Sequence, residues 1–339
     1  MSERLFVLMQ HLMPKLAITR AMGALASQSD GPLSRWMIRR FAARYGVNMA
    51  EAAEPDLARY SSFNDFFTRA LRADARPLAD AALVCPVDGA ISQFGRIDGD
   101  QIFQAKGHAY STTALLGGDA ALAREFEGGS FATIYLSPRD YHRIHMPCDG
   151  RLLRMIYVPG ALFSVNPATA RGVPGLFARN ERVVCLFESD AGPFVLVLVG
   201  ATIVGSMATV WHGVVNPPRH DAIQSWDYAD RRIVLKQGEE MGRFLLGSTV
   251  VLLFPNSRCA SMPTGRRPTP CAWANAWPIG RSGPAPSGDD HGPRCGRAEA
   301  RPAVRSKEKS RRMPAFFLCA AARAAATLSS CFGRPVCWP

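Results

Sequence analysis

Apolar positions fall into two textures along the chain. Up to about residue 47 they recur at helical spacing: Leu5, Leu8, Leu12 and Leu16 lie three or four apart, and Leu33, Trp36, Met37 and Phe41 form a second set. Arg35, Arg39, Arg40 and Arg44 are interleaved with the second set, which makes it a basic amphipathic helix. Such a helix can lie in an anionic membrane interface, arginines among the headgroups, or pack on its own domain with a solvated basic face. The pattern alone does not say what covers the apolar side.

From Leu83 onward the apolar runs become short and are separated by turn residues: 90–94, 131–136, 152–158, 183–187, 194–199, 203–210, 232–235 and 250–254. This spacing predicts an antiparallel, largely β domain. Residues 194–210 carry no charge, but they are dense in Val and Ile and punctuated by Gly200 and Gly205, so they read as buried strands rather than a membrane span. The fold class is α+β: a mainly antiparallel β domain over 61–255, preceded by amphipathic helices within 1–60.

After Pro255 the texture breaks. Eleven of the chain's 25 prolines and six of its nine cysteines lie beyond that point, with no sustained helix or strand period. The tail, 256–339, is expected to be disordered. It also holds most of the +12 net charge: residues 259–339 carry 13 Lys/Arg against four Asp/Glu. The body is therefore nearly balanced, which argues against a nucleic-acid partner. Cys85, Cys148 and Cys185 are scattered through the body, as in a protein of a reducing compartment. The charged start, Met1-Ser2-Glu3-Arg4, does not read as a secretory signal.

Three local features can carry chemistry. Gly247-Ser248-Thr249 stands between apolar runs at a strand-entry turn. It is either an ordinary turn or a self-cleavage point, since Gly247 leaves its carbonyl open to the Ser248 hydroxyl. His142 and His145 are three apart, so a strand would put them on opposite faces and a helical turn on one. Either is a structural histidine or a base near neutral pH, and the spacing lacks the pattern of a zinc helix, so no metal is expected. Asp88 before Gly89 is a turn residue or a carboxylate that orients a histidine.

Taken together, the motifs resemble the bacterial phosphatidylserine decarboxylases. The resemblance covers roughly residues 1–254. It rests on Pro86-Val87-Asp88-Gly89, Phe103 to His108 (FQAKGH), Tyr135 to Pro147 (YLSPRDYHRIHMP), Phe177 to Arg182 (FARNER), Val199 to Gly205 (VGATIVG) and Leu246-Gly247-Ser248-Thr249. It implies that Ser248 cuts the Gly247–Ser248 bond by an N→O acyl shift, β-elimination and hydrolysis. The products are a large chain, 1–247, and a small chain, 248–339, that begins with a pyruvoyl group. The implied roles are a triad of Asp88, His145 and Ser248 for cleavage, and His142 as the second histidine, protonating the carbanion after CO₂ leaves. The pyruvoyl ketone would form a Schiff base with the serine amine of phosphatidylserine and serve as electron sink, giving phosphatidylethanolamine with no external cofactor. The substrate's acyl chains imply a peripheral enzyme on the cytoplasmic side of an anionic cell membrane, assembled as a homodimer of cleaved pairs.

The sequence departs from the family after Phe254, where the family continues in an orderly segment. A shift of reading frame near codons 255–260 would account for this. The rival reading is a membrane-associated protein of the same fold that does not process. A conventional serine hydrolase is disfavoured, because Ser248 lies outside the G-x-S-x-G pattern.

Overall fold

The computed structural model describes residues 3–29, 31–203, 206–246 and 249–255, and the backbone of 269–271. All of them fall within one unit, Met1–Arg281. The helices that bear on the site are α1 (Glu3–Leu12), α2 (Lys15–Ser27), α3 (Pro32–Tyr45) and α4 (Phe63–Phe67). The strands are β1 (Gly89–Arg96), β2 (Gln101–Ala105), β3 (His108–Ser111), β4 (Ser130–Tyr135), β5 (Arg143–His145), β6 (Gly150–Val158), β7 (Arg182–Ser189) and β8 (Gly192–Val199). They continue as β9 (Met207–Thr209), β10 (Gly213–Asn216), β11 (Gln224–Asp227), β12 (Val234–Leu235), β13 (Glu240–Phe244), β14 (Thr249–Phe254) and β15 (Thr269–Cys271).

A large sheet runs β11-β6-β7-β8-β14-β4-β1-β15, with β12 on β6, and a smaller one runs β10-β9-β13-β5. Every pairing in both is antiparallel, as the strand spacing predicts. Side chains alternate across the large sheet and meet two cores. From β14, Val251 and Leu253 join Ile38, Phe41 and Phe66 on the helical side. Val250, Leu252 and Phe254 join Ile144, Met207 and Met241 beneath the small sheet. Because both faces are covered, β14 reads as a continuous apolar run rather than an alternating one. Each such buried aliphatic side chain contributes about 1.5–3 kcal/mol relative to exposure.

The uncharged stretch 194–210 splits at Gly200, as its glycine punctuation predicts, into β8 and β9. The second strand begins at Met207 rather than at Ile203, whose φ of 73° breaks the strand and whose N–H donates to Thr19 Oγ1. Among the described residues no helix is long and apolar enough to cross a membrane. Cys148 and Cys185 are buried and outside any disulfide, whereas Cys85 is disulfide-bonded, so the expectation of thiols without disulfides holds for two of the three. Of the tail, only the backbone of β15 is described, extending the large sheet beside β1; the expected disorder of the rest lies outside the described residues.

Of the two readings of the N-terminal helices, packing on the chain's own domain holds for one side of them. Ala26, Ile38, Phe41 and Ala42 enter the helical-side core, so segments 1–60 and 61–255 share one core. Leu5, Leu8, Leu12, Leu16, Leu33 and Trp36 are nevertheless exposed. On α1 the burial is inverted: Gln10 is the residue turned inward, accepting from Ser164 N–H at 3.0 Å, while the leucines face out.

Candidate active site

The sheet register gathers most of the sequence-predicted positions at one end. Thr249 opens β14 opposite Tyr135, and Tyr135 is in turn opposite Ala90 on β1. Ala90, two residues after Asp88, and Thr249 therefore flank the C-terminal end of β4 from either side, two strand spacings, about 10 Å, apart. Gly89 must be glycine for this: a Cβ there would lie 2.5 Å from the Tyr135 carbonyl oxygen. Gly247 and Ser248 themselves lie outside the described residues.

Strand β5 and the loop before it bring in the histidines. Its His145 N–H donates to the Pro86 carbonyl at 2.8 Å, tying the strand to the Asp88 turn. On the other side β13 pairs with β5, and Phe244 N–H donates to the His142 carbonyl at 3.0 Å, so the chain entering the 247–248 junction runs past both histidines. Arg143, between them, is held by the Thr68 carbonyl at 2.9 Å and by Glu240 at 2.9 Å.

Both rings have their tautomer chosen by a carbonyl. His145 Nδ1 lies 2.8 Å from Gly238 O, and His142 Nδ1 lies 2.7 Å from Asp140 O. A carbonyl only accepts, so each Nδ1 carries the hydrogen and each Nε2 presents its lone pair. The Nε2 of His145 accepts from the Tyr141 hydroxyl at 3.3 Å. The Nε2 of His142 is buried with no partner among the described residues, and so is Thr249 Oγ1.

Burial holds both histidines below the usual imidazole range. Desolvation takes fully buried His142 down to about 3; the Asp140 carbonyl opposes this and the Arg69 cation adds to it. The Phe67 ring, 4.1 Å away, forms part of its apolar surround. For His145, desolvation again dominates, partly offset by the Gly238 carbonyl, Glu240 and Asp88. Both rings are thus neutral acceptors near neutral pH.

Asp88 is buried and gripped by Arg76, whose Nε and Nη2 donate at 3.3 and 2.7 Å, and the same Nη2 reaches Glu51 at 2.7 Å. Asp88 acts on His145 through its field, while Gly238 supplies the ring's hydrogen-bonded support. Arg76, Glu51, Tyr141 and Gly238 are members of this arrangement that sequence reasoning did not single out. Tyr141 stood inside the quoted histidine motif, but Gly238 enters through its carbonyl, which no residue type announces.

Comparison with known proteins identifies the family. A family described as phosphatidylserine decarboxylase matches residues 63–267, and one described as PSD matches residues 5–46. Phosphatidylserine decarboxylase proenzymes of Acidovorax ebreus (strain TPSY) and Variovorax paradoxus (strain S110) are each 72% identical over 263 residues, 78% of this chain and 93% of theirs. That of Delftia acidovorans (strain DSM 14801 / SPH-1) is 73% identical over 257 residues, 76% of this chain and 90% of its own.

Proposed function

The chain belongs to the phosphatidylserine decarboxylase family and is an enzyme of it, and on that premise we propose that it converts itself to a pyruvoyl enzyme at Ser248 and decarboxylates phosphatidylserine to phosphatidylethanolamine at a membrane surface. The observation that carries this reading is the His145 ring: neutral, with Nδ1–H held by Gly238 and Nε2 left as its acceptor nitrogen, on β5, which pairs with β13.

His145 Nε2 takes the Ser248 hydroxyl proton as Oγ attacks the Gly247 carbonyl, and the peptide becomes an ester. Loss of the Ser248 Cα proton then expels the 1–247 carboxylate, and water replaces the resulting enamine nitrogen, releasing ammonia and leaving a ketone at the head of the small chain. Asp88, fixed by Arg76, favours the imidazolium that forms on His145, completing the triad implied by the sequence. The Tyr141 hydroxyl shares the same lone pair and steadies the ring.

The residues present fit such a group, because two buried polar atoms without a partner among the described residues lie near it in the chain: Thr249 Oγ1, next in sequence to Ser248, and His142 Nε2, whose backbone carbonyl accepts from Phe244. A pyruvoyl group supplies an electron sink for the bond to the departing CO₂. For the decarboxylation His142 Nε2 is the base that takes a proton from the substrate ammonium and returns it to the carbon that lost CO₂; its Nδ1–H stays on Asp140 throughout.

The exposed leucines of α1 and α2, with Leu33 and Trp36 on α3, dock the protein peripherally on the cytoplasmic face of the membrane, where Arg35, Arg39, Arg40 and Arg44 meet anionic headgroups. The two cleaved chains stay together, since β14 of the small chain is central to the large sheet, and the pair assembles as a homodimer.

Mass spectrometry of the purified protein should find two chains, the second beginning at position 248 with a blocked terminus. Carboxyl-labelled phosphatidylserine should then release labelled CO₂. A single intact chain that releases none would establish the rival reading, a protein of this fold that does not process.

A further inference from the structure

Beside Asp88 lies a cavity of about 240 Å³ lined by Glu51, Arg69, Arg76, Asp88, Arg139 and Tyr141, among others. Its three arginines are not equivalent. Arg76 is committed to Glu51 and Asp88, each at 2.7 Å. Arg139 is largely exposed, 3.8 Å from Asp140. Arg69, at 5% exposure, has no ion pair among the described residues; one Nη2–H reaches the Arg139 carbonyl at 3.3 Å and Nε has no partner.

A buried guanidinium without a counter-ion is expensive to keep, because the protein gives up its hydration and returns little. The Phe66 ring beneath Arg69 and the fields of Asp88 and Glu51 compensate in part, but both carboxylates are already held by Arg76. An anion entering the cavity would pair with the Arg69 guanidinium through charge-assisted hydrogen bonds. Position narrows the anion. Arg69 follows α4 directly, two residues after the Phe67 ring that packs on His142, and the cavity shares Asp88 and Tyr141 with the candidate site. A substrate whose amine is at His142 can therefore reach Arg69 only with another part of its headgroup.

The serine headgroup has two anions, a carboxylate and a phosphodiester, and reaction physics separates them. A guanidinium on the carboxylate would stabilise the ground-state charge that must be lost as CO₂, and would slow the step. The phosphodiester keeps its charge throughout, so binding it holds the substrate without opposing the chemistry. We propose that Arg69 is a substrate-binding residue that holds the lipid phosphodiester in this cavity. The assignment rests on the decarboxylase reading for the identity of the substrate. Because the phosphate is bound equally in ground and transition states, Arg69 should govern KM rather than kcat.

In Arg69→Gln, phosphatidylserine in mixed micelles should show KM raised about tenfold or more and kcat within about threefold, with self-cleavage unchanged on a denaturing gel. Glycerophosphoethanolamine should compete in the wild type and lose potency in the variant, with inorganic phosphate a much weaker inhibitor of both. An unchanged KM, a fall confined to kcat, or inorganic phosphate as potent as glycerophosphoethanolamine would each overturn the assignment. If the variant does not fold, the wild type decides: glycerophosphoethanolamine should protect Arg69 from modification by phenylglyoxal, read by peptide mass, and equal modification with and without it sinks the proposal. That footprint requires no turnover, so it tests Arg69 even if the protein neither cleaves itself nor releases CO₂.

Discussion

His145 Nδ1 lies 2.8 Å from the carbonyl oxygen of Gly238, and that contact decides which ring nitrogen can act. With the hydrogen fixed on Nδ1, Nε2 is the ring's acceptor, on a strand paired with β13. His145→Ala removes that acceptor while leaving the paired backbone of β5 intact. Self-cleavage should slow by about 10²–10⁴-fold, the usual contribution of a general base, and the protein should run as one band of full length. Cleavage at the wild-type rate would remove His145 from the reaction.

The same ring predicts the pH dependence of processing. Burial depresses the His145 pKa, so the neutral, competent form persists below the ordinary imidazole value near 6.5. The cleavage rate, measured by gel after transferring freshly made precursor to buffers of falling pH, should hold through pH 7 and decline only below about 6.5. A decline already complete by pH 7 would contradict an acceptor role for a buried neutral ring.

His142 links pH to stability more strongly. Its folded pKa, near 3, lies below the unfolded value of 6.5, so between them the unfolded chain binds the extra proton and stability rises with pH. The contribution is fully present above about pH 6.5 and is lost as pH falls toward 3, on the order of 5 kcal/mol in all. In a Ser248→Ala background, which keeps the chain whole, His142→Leu should flatten this part of the stability curve measured by urea unfolding. Parallel curves would show that the ring is not neutral in the fold.

Much of this arrangement was legible in the sequence. Apolar runs with turn residues between them located the long strands, because β14 and most of β8 are covered on both faces and read as continuous apolar runs, as does the middle of β7. Short β5 and β13 were not separately visible: three to five residues carry too little periodicity, and they form because longer neighbours offer them paired edges. Asp88, His142 and His145 could be singled out by type, yet Gly238 acts through a backbone carbonyl and Arg76 through a fold that returns it to Asp88. Neither has a local signature. The inversion of α1 was partly legible, since the leucine stripe is plain, but which face is buried depends on Ser164 and Thr202, far along the chain.

Arg76 joins two carboxylates, and this makes its removal unequal to theirs. Arg76→Met would leave Asp88 and Glu51 close together without their shared cation, costing about 2–4 kcal/mol, chiefly through the buried Asp88, since Glu51 is partly exposed and screened. Asp88→Asn should cost clearly less, because Arg76 keeps Glu51. In the Ser248→Ala background the double variant should then be more stable than the sum of the single losses predicts, and urea unfolding of all four proteins measures the coupling. Strict additivity would mean that Arg76 does not hold Asp88.

Membrane docking makes the sharpest use of the exposed leucines. Leu12 is 76% exposed and Trp36 58%, although both are apolar and sit on helices whose opposite sides are buried. Deleting residues 1–47 would also strip Ala26, Ile38 and Phe41 from the core, so substitutions at the surface separate binding from folding. Leu12→Asp and Trp36→Asp together should leave the melting temperature nearly unchanged, as expected for exposed positions. Each side chain contributes about 1.5–3 kcal/mol when it leaves water, so the pair should lower partition onto vesicles containing anionic lipid by at least about 100-fold. The arginines of α3 add an electrostatic part that salt screens, so raising ionic strength should weaken wild-type flotation further than it weakens an Arg35→Gln, Arg39→Gln variant. Flotation of the aspartate variant at the wild-type level would mean that these leucines and Trp36 meet something other than lipid.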